Sequence, residues 1–136
     1  MRYMLDTNIC IYLMRHQPPE AAERFARCVY GEVVMSVVTL AELKCGVSVR
    51  GEDRSRVAAT IERLTGLVPP LALDEDAADQ YAQLYKAVRD RRRDALDRLI
   101  AAHALAADCV LVTNNEADFS DYPGLRLENW VSTPGT

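Results

Sequence analysis

Short, continuously apolar runs constrain this chain more than any other feature. Val33-Val34-Met35-Ser36 and Val110-Leu111-Val112 are rich in β-branched residues and only a few residues long, and Arg2–Leu5 is a further short strand candidate, ending at Asp6. A strand with one wet face alternates apolar and polar residues, whereas an uninterrupted run suits a strand covered on both faces. The stretches between the runs have helical spacing. Asn8–Arg15 is the first. Pro18-Pro19-Glu20 opens a second, with Ala22, Phe25, Ala26 and Val29 on its apolar face. Thr39–Val47 places Leu40, Leu43 and Val47 on one side. After the turn Gly51–Asp53, Val57, Ile61 and Leu64 mark a helix that Gly66 is expected to stop. Asp74 caps a helix expected to reach about Arg92, and Asp94 another to about Ala107. Leu67–Leu73 is extended but carries Pro69-Pro70, which assigns it to a sheet edge, and Leu125–Leu127 is a weak last strand. Strands alternating with helices predict an open, mostly parallel α/β sheet. At 136 residues and 49% apolar composition, the chain is expected to form one domain, 1–136.

Composition removes several function classes. No apolar run is long enough to span a membrane, and the N-terminus does not read as a secretory leader. The four cysteines, Cys10, Cys28, Cys45 and Cys109, form no C-x-x-C pair, so free thiols in a reducing cytoplasm are expected. The net charge of −4 argues against nucleic-acid binding by bulk charge, without excluding a nuclease. Basic residues cluster locally, at Arg89, Arg91, Arg92 and Arg93 and at Arg50, Arg54 and Arg56. Such runs are either solvated helix ends or phosphate contacts. The chain has no Walker A loop, no G-x-G-x-x-G and no G-x-S-x-G.

Four carboxylates remain as candidates: Asp6, Glu42, Asp97 and Asp118. In open α/β sheets ligands sit beyond the carboxyl ends of the strands. Asp6 follows the first strand, Glu42 starts the helix after the second, and Asp118 follows the Val110–Val112 strand with Thr113 and Asn115. Asp97 would arrive on a helix packed beside them. Each acid also has a purely local explanation. Thr39-x-x-Glu42 is a capping-box pattern. Asp97 stands where a carboxylate helps a helix start. Asp6 or Asn8 could cap the first helix, and Asp118 could belong to a surface turn. Together, however, bare carboxylates at one sheet edge repel one another, and a hard cation relieves that conflict. His16 and His103 do not make a transition-metal set, and His103, in Ile100-Ala101-Ala102-His103-Ala104, reads as a packed core residue. A carboxylate-held ion suits phosphodiester hydrolysis.

At these residues the chain resembles the PIN-domain ribonucleases, in particular the VapC-type toxins of bacterial toxin–antitoxin pairs. The motifs are Met4-Leu5-Asp6-Thr7-Asn8-Ile9, Ser36-Val37-Val38-Thr39-Leu40-Ala41-Glu42-Leu43, Leu96-Asp97-Arg98-Leu99-Ile100-Ala101-Ala102-His103-Ala104 and Val112-Thr113-Asn114-Asn115-Glu116-Ala117-Asp118-Phe119. The resemblance implies a three-layer α/β/α fold and a Mg²⁺-dependent endoribonuclease, with Mn²⁺ as a substitute. It implies that Asp6, Glu42, Asp97 and Asp118 are the metal-binding and catalytic acids. Thr7, Asn8, Ser36, Thr113 and Asn115 would line the pocket, and Arg91, Arg92 and Arg93 could meet phosphate, dock an antitoxin or be solvated. Further implications are a homodimer, a cognate VapB-like antitoxin, RNA as substrate (initiator tRNA cut in its anticodon loop) and contact with DNA only through the antitoxin complex.

The chain departs from the pattern in two places. Asn115 stands where many PIN domains carry Asp, which weakens the case for a second ion. The segment before Asp97 lacks the Gly and Pro often found there. Competing readings fit less well. A phosphatase using Asp6 as nucleophile wants an acid two residues later, where Asn8 stands. A receiver domain wants a late Lys, but the last is Lys86. A catalytically inactive interaction module is the remaining alternative.

Overall fold

The computed structural model describes residues 2–49, 53–88 and 95–131. The order is β1 (Arg2–Leu5), α1 (Thr7–Arg15), α2 (Pro19–Ala26), β2 (Val33–Ser36), α3 (Val37–Val49), α4 (Arg54–Leu67), β3 (Pro70–Leu71), α5 (Glu75–Ala87), α6 (Ala95–Ala106), β4 (Cys109–Val112) and β5 (Leu127–Glu128). The sheet order is β3-β2-β1-β4-β5. Every pairing is parallel, with Leu5 opposite both Met35 and Val112.

Alternate strand residues enter opposite cores, which explains the uninterrupted apolar runs. Leu5, Val33, Met35 and Val112 join Ile9, Leu13, Leu43, Ile61 and Leu64 on one face of the sheet. Met4, Val34 and Leu111 join Leu84, Ile100, Ala101 and Phe119 on the other. The result is the three-layer α/β/α arrangement, with α5 and α6 covering the second face. On the first face Arg24 ties α2 to β1, β5 and Trp130. Its guanidinium lies 5.2 Å from the Tyr3 ring centroid and 5.1 Å from that of Trp130, and it pairs with Glu128 at 3.3 Å.

Several boundaries differ from those read in the sequence. Helix α2 ends at Ala26, so Val29 lies outside it and is 69% exposed rather than packed. Helix α3 starts at Val37, not Thr39, because the Ser36 hydroxyl caps it by accepting the Val38 N–H at 3.0 Å. Gly66 does not stop α4, which runs to Leu67 and closes with Val68 N–H bonded to the Leu64 carbonyl. Asp74 does cap α5, accepting from Ala77 N at 2.9 Å. That helix ends at Ala87, and the expected continuation to Arg92 falls outside the described residues. The last strand is Leu127–Glu128, beyond a turn in which Gly124 has φ +80°, a conformation glycine adopts without strain. No helix among the described residues is long and apolar enough to cross a membrane.

Candidate active site

The strand order reverses at β1. Successive connections lead outward through β2 and β3 on one side, then return to β4 and β5 on the other. A crevice opens beyond the carboxyl ends of the strands at such a switch point. Asp6 occupies it from β1, and Thr113 from the adjacent β4.

Asp6 is the N-cap of α1. Its Oδ1 accepts the Ile9 N–H at 2.9 Å, and the Thr113 hydroxyl donates to the same carboxylate. The capping role and the pocket role therefore belong to one side chain. Only 5% of Asp6 is exposed. Burial pushes its pKa from 3.8 to about 6, and the negative charges of Asp97 and Glu42 add to the rise, while the Thr113 and Ile9 hydrogen bonds oppose it.

Glu42 does not form the capping box that Thr39-x-x-Glu42 suggests. With α3 beginning at Val37, Thr39 lies inside the helix and is buried. Glu42 Oε1 instead accepts from Thr7 Oγ1 at 2.7 Å, and Thr7 Oγ1 lies 3.4 Å from Thr39 Oγ1. This hydroxyl bridge joins the start of α1 to α3 and orients the Glu42 carboxylate.

Asp97 stands in the first turn of α6. The next residue, Arg98, is buried against α5. It lies 5.6 Å from the Tyr81 ring centroid and 5.3 Å from that of Tyr85, and it donates to Tyr81 Oη at 3.4 Å. A charged side chain is buried here because aromatic faces receive it. The start of α6 is thereby anchored beside its acid.

Asp6, Thr7, Asn8, Glu42, Asp97 and Ile100 line one cleft of about 120 Å³. Three of the four predicted acids are thus brought together, with Thr7 and Asn8. Asp118 is not among the lining residues. It sits in a short 3₁₀ turn, Glu116–Asp118, and accepts a hydrogen bond from Asn115 Nδ2. Asn115 is exposed, and its N–H bonds Thr113 Oγ1 at 3.0 Å. Ser36 is fully buried and does not line the cleft. Arg91, Arg92 and Arg93 lie outside the described residues.

Sequence reasoning missed Tyr12 and Asn114. Asn114 Nδ2 donates to Tyr12 Oη at 2.8 Å, tying the loop after β4 to α1. The two are 102 residues apart and no local pattern signals the contact.

The donors suit a hard divalent ion. All are oxygens, one is a buried carboxylate whose charge is costly, and its nearest charged neighbours repel it. Among the described residues, no three His, Cys, Asp or Glu side chains are already drawn into a metal-ligating cluster. The acids share a cleft without converging on a point.

Comparison with known proteins decides the family. The PIN-domain model matches residues 3–125. The chain belongs to the PIN-domain family and is a ribonuclease of the VapC type. It is 34% identical over 132 residues to the tRNA(fMet)-specific endonuclease VapC of Shigella flexneri, covering 96% of this chain and 98% of that protein. Ribonuclease VapC1 of Haemophilus influenzae (strain R2866) is 35% identical over 134 residues, covering 96% and 99%. Among solved structures, VapBC-1 from nontypeable Haemophilus influenzae superposes with a TM-score of 0.87 at 34% identity, covering 97% of this chain and 100% of that one. VapBC2 from Rickettsia felis, bound to a DNA fragment from its promoter, gives 0.86 at 29% identity, covering 96% and 99%.

Proposed function

We propose that this VapC-type ribonuclease is a Mg²⁺-dependent endoribonuclease toxin in which Asp6, Glu42 and Asp97 hold the ion and Mn²⁺ can replace it. The observation that carries this reading is the single cleft lined by all three acids, with Asp6 buried and its pKa raised to about 6. When bound, the ion would activate water and stabilise charge on the phosphate. The chain's own groups prepare the site. The Ile9 N–H and the Thr113 hydroxyl fix the Asp6 carboxylate, and the Thr7 hydroxyl fixes that of Glu42. Such preorganisation limits the motion left to be frozen when substrate binds. Asp118 lies in the loop beyond Thr113 and would act at the edge of the site, towards RNA.

The partner and the substrate extend the same proposal. Solved neighbours are VapBC complexes, and a VapB-like antitoxin is the partner proposed here, with DNA met only through that complex. The Shigella flexneri relative is named a tRNA(fMet)-specific endonuclease. Initiator tRNA, cut in its anticodon loop in the cytoplasm, is the substrate proposed. The test is incubation of partner-free protein with total cellular RNA, with Mg²⁺ or with chelator, followed by end mapping. Discrete metal-dependent ends in initiator tRNA are expected. Fragments elsewhere would refute the tRNA assignment, and no fragments from folded protein would favour an inactive interaction module.

A further inference from the structure

Two buried polar residues outside the cleft sit where the acid-bearing helices meet. Ser36 ends β2 with no exposed surface, and His103, in α6, is 3% exposed. His103 Nδ1 lies 2.7 Å from Ser36 Oγ, a contact between residues 67 apart in the chain. Ser36 Oγ also accepts the Val38 N–H at the start of α3. The imidazole is hydrogen-bonded to the Ala72 backbone as well, in a way that favours the charged ring.

These contacts define a direction. A bond that favours imidazolium is one the ring donates to the Ala72 backbone, and with Nδ1 engaged by Ser36 the tautomer that satisfies both contacts of a neutral ring carries its proton on Nε2. Nδ1 is then the acceptor, and the Ser36 hydroxyl donates to it. The Ser36 oxygen in turn accepts from Val38. This requires a neutral ring. Burial lowers the His103 pKa below its usual 6.5, against the opposing pull of Asp74 and the Ala72 bond, so the neutral form is present at neutral pH.

The placement gives the bond a consequence. Glu42 lies six residues after Ser36, on α3, and Asp97 six residues before His103, on α6. With a rise of about 1.5 Å per residue, each acid lies roughly 9 Å along its helix from the bond. At that level Glu42 and Asp97 face the same cleft. One polar tie therefore fixes the two helices at one level, and the acids line the cleft at the next. The side chains packed between, Val38 and Ile100 among them, are apolar. Apolar packing is non-directional, whereas a satisfied buried hydrogen bond specifies one arrangement.

We propose that the Ser36–His103 hydrogen bond is a positioning latch that sets the separation of α3 and α6, and through it the spacing of Glu42 and Asp97 across the cleft. The inference rests on the metal-dependent reading above for its purpose. Ser36 and His103 are positioning residues, not catalytic ones.

The test uses the full chain and three substitutions. Ser36→Ala and His103→Leu remove the bond, while His103→Asn keeps an acceptor near the position of Nδ1. The first readout is metal-free: amide resonances of Glu42 and Asp97 in ¹⁵N-labelled protein. They shift in Ser36→Ala and His103→Leu and return towards the unaltered positions in His103→Asn. The second is Mn²⁺ titration followed by calorimetry. The midpoint rises about tenfold or more on loss of the bond, as for other partners that orient metal ligands, and His103→Asn recovers most of the difference. Unmoved Glu42 and Asp97 resonances overturn the proposal. So does a lower melting temperature with an unchanged Mn²⁺ midpoint, because the bond would then only satisfy buried groups. If the unaltered protein itself binds no Mn²⁺, the metal-dependent reading fails, and the metal-free resonances still decide the latch.

Discussion

Replacing the acid at the centre of the cleft should stabilise the metal-free protein. Asp6 carries a folded pKa of about 6 against 3.8 for the free group. At about 1.4 kcal/mol per pH unit, keeping it ionised in the folded state costs about 3 kcal/mol. The sign follows from proton binding. Between pH 3.8 and 6 the folded state binds the proton more tightly than the unfolded state. Stability attributable to Asp6 therefore falls as pH rises through that window, and the penalty is complete above it. Asp6→Asn removes the charge and retains an acceptor for Ile9 N–H, since Asn is as good an N-cap as Asp. The bond from Thr113 is disturbed, at about 1 kcal/mol. The net gain at pH 7.5 is about 2 kcal/mol, or roughly 6 °C in melting temperature for a domain of this size. Thermal unfolding in chelator, from pH 4 to 8, measures it. The variant should be slightly the less stable near pH 4, overtake the unaltered chain as pH rises through the window, and keep a constant advantage above it. A variant less stable at pH 7.5, or a difference independent of pH, would refute the reasoning. In Mg²⁺ the difference should narrow or reverse, because the unaltered chain gains more from the ion.

Other perturbations probe the periphery. Tyr12→Phe deletes the hydroxyl that receives Asn114 Nδ2; destabilisation by about 1 kcal/mol in denaturant unfolding and a several-fold slower RNA cleavage are expected, and unchanged cleavage would show that the loop is held without it. Neutralising Arg91, Arg92 and Arg93 should weaken RNA binding and lower its salt slope, by about one for each phosphate that an arginine no longer neutralises; an unaltered slope in fluorescence titrations would make the run a solvated one. Val37 and Leu96 are 39% and 50% exposed beside the groove between α3 and α6, and burying them against a second copy is the expected use of that face. Light scattering at micromolar concentration should give a dimer for the unaltered chain and a monomer for Leu96→Glu.

How much of the fold and the site is legible in the sequence depends on whether the cause is local. The uninterrupted runs at Val33 and Val110 predict strands covered on both faces, and Leu5, Met35 and Val112 do part from Met4, Val34 and Leu111 into two cores. Asp6 and Asp74 are legible as caps because a cap is a relation over three residues. The start of α3 is not, because the Ser36 hydroxyl, rather than Thr39, satisfies a first-turn N–H, and Ser36 is itself held by a histidine far along the chain. Val29 leaves the apolar face expected for it because its helix ends a turn earlier. Gly66 fails as a stop because an α-helix tolerates glycine at modest cost when packing on either side continues, and Ile61, Leu64 and Val68 are all buried. In the site, motif order identifies Asp6, Glu42 and Asp97 as one group. It does not show that Thr7, rather than a capping box, holds Glu42, or that Asp118 turns to Asn115. Those choices are made by side chains meeting across the fold.

Binding of Mn²⁺ tests the central claim most directly, because it asks whether these three carboxylates act as one ligand set. Calorimetric titration at pH 7.5 of the unaltered chain, Asp6→Asn and Asp97→Asn should give saturable binding in the first, and an affinity lower by about tenfold or more in each variant. Equal binding by all three folded proteins, or none by the unaltered chain, would contradict a metal site built from Asp6, Glu42 and Asp97.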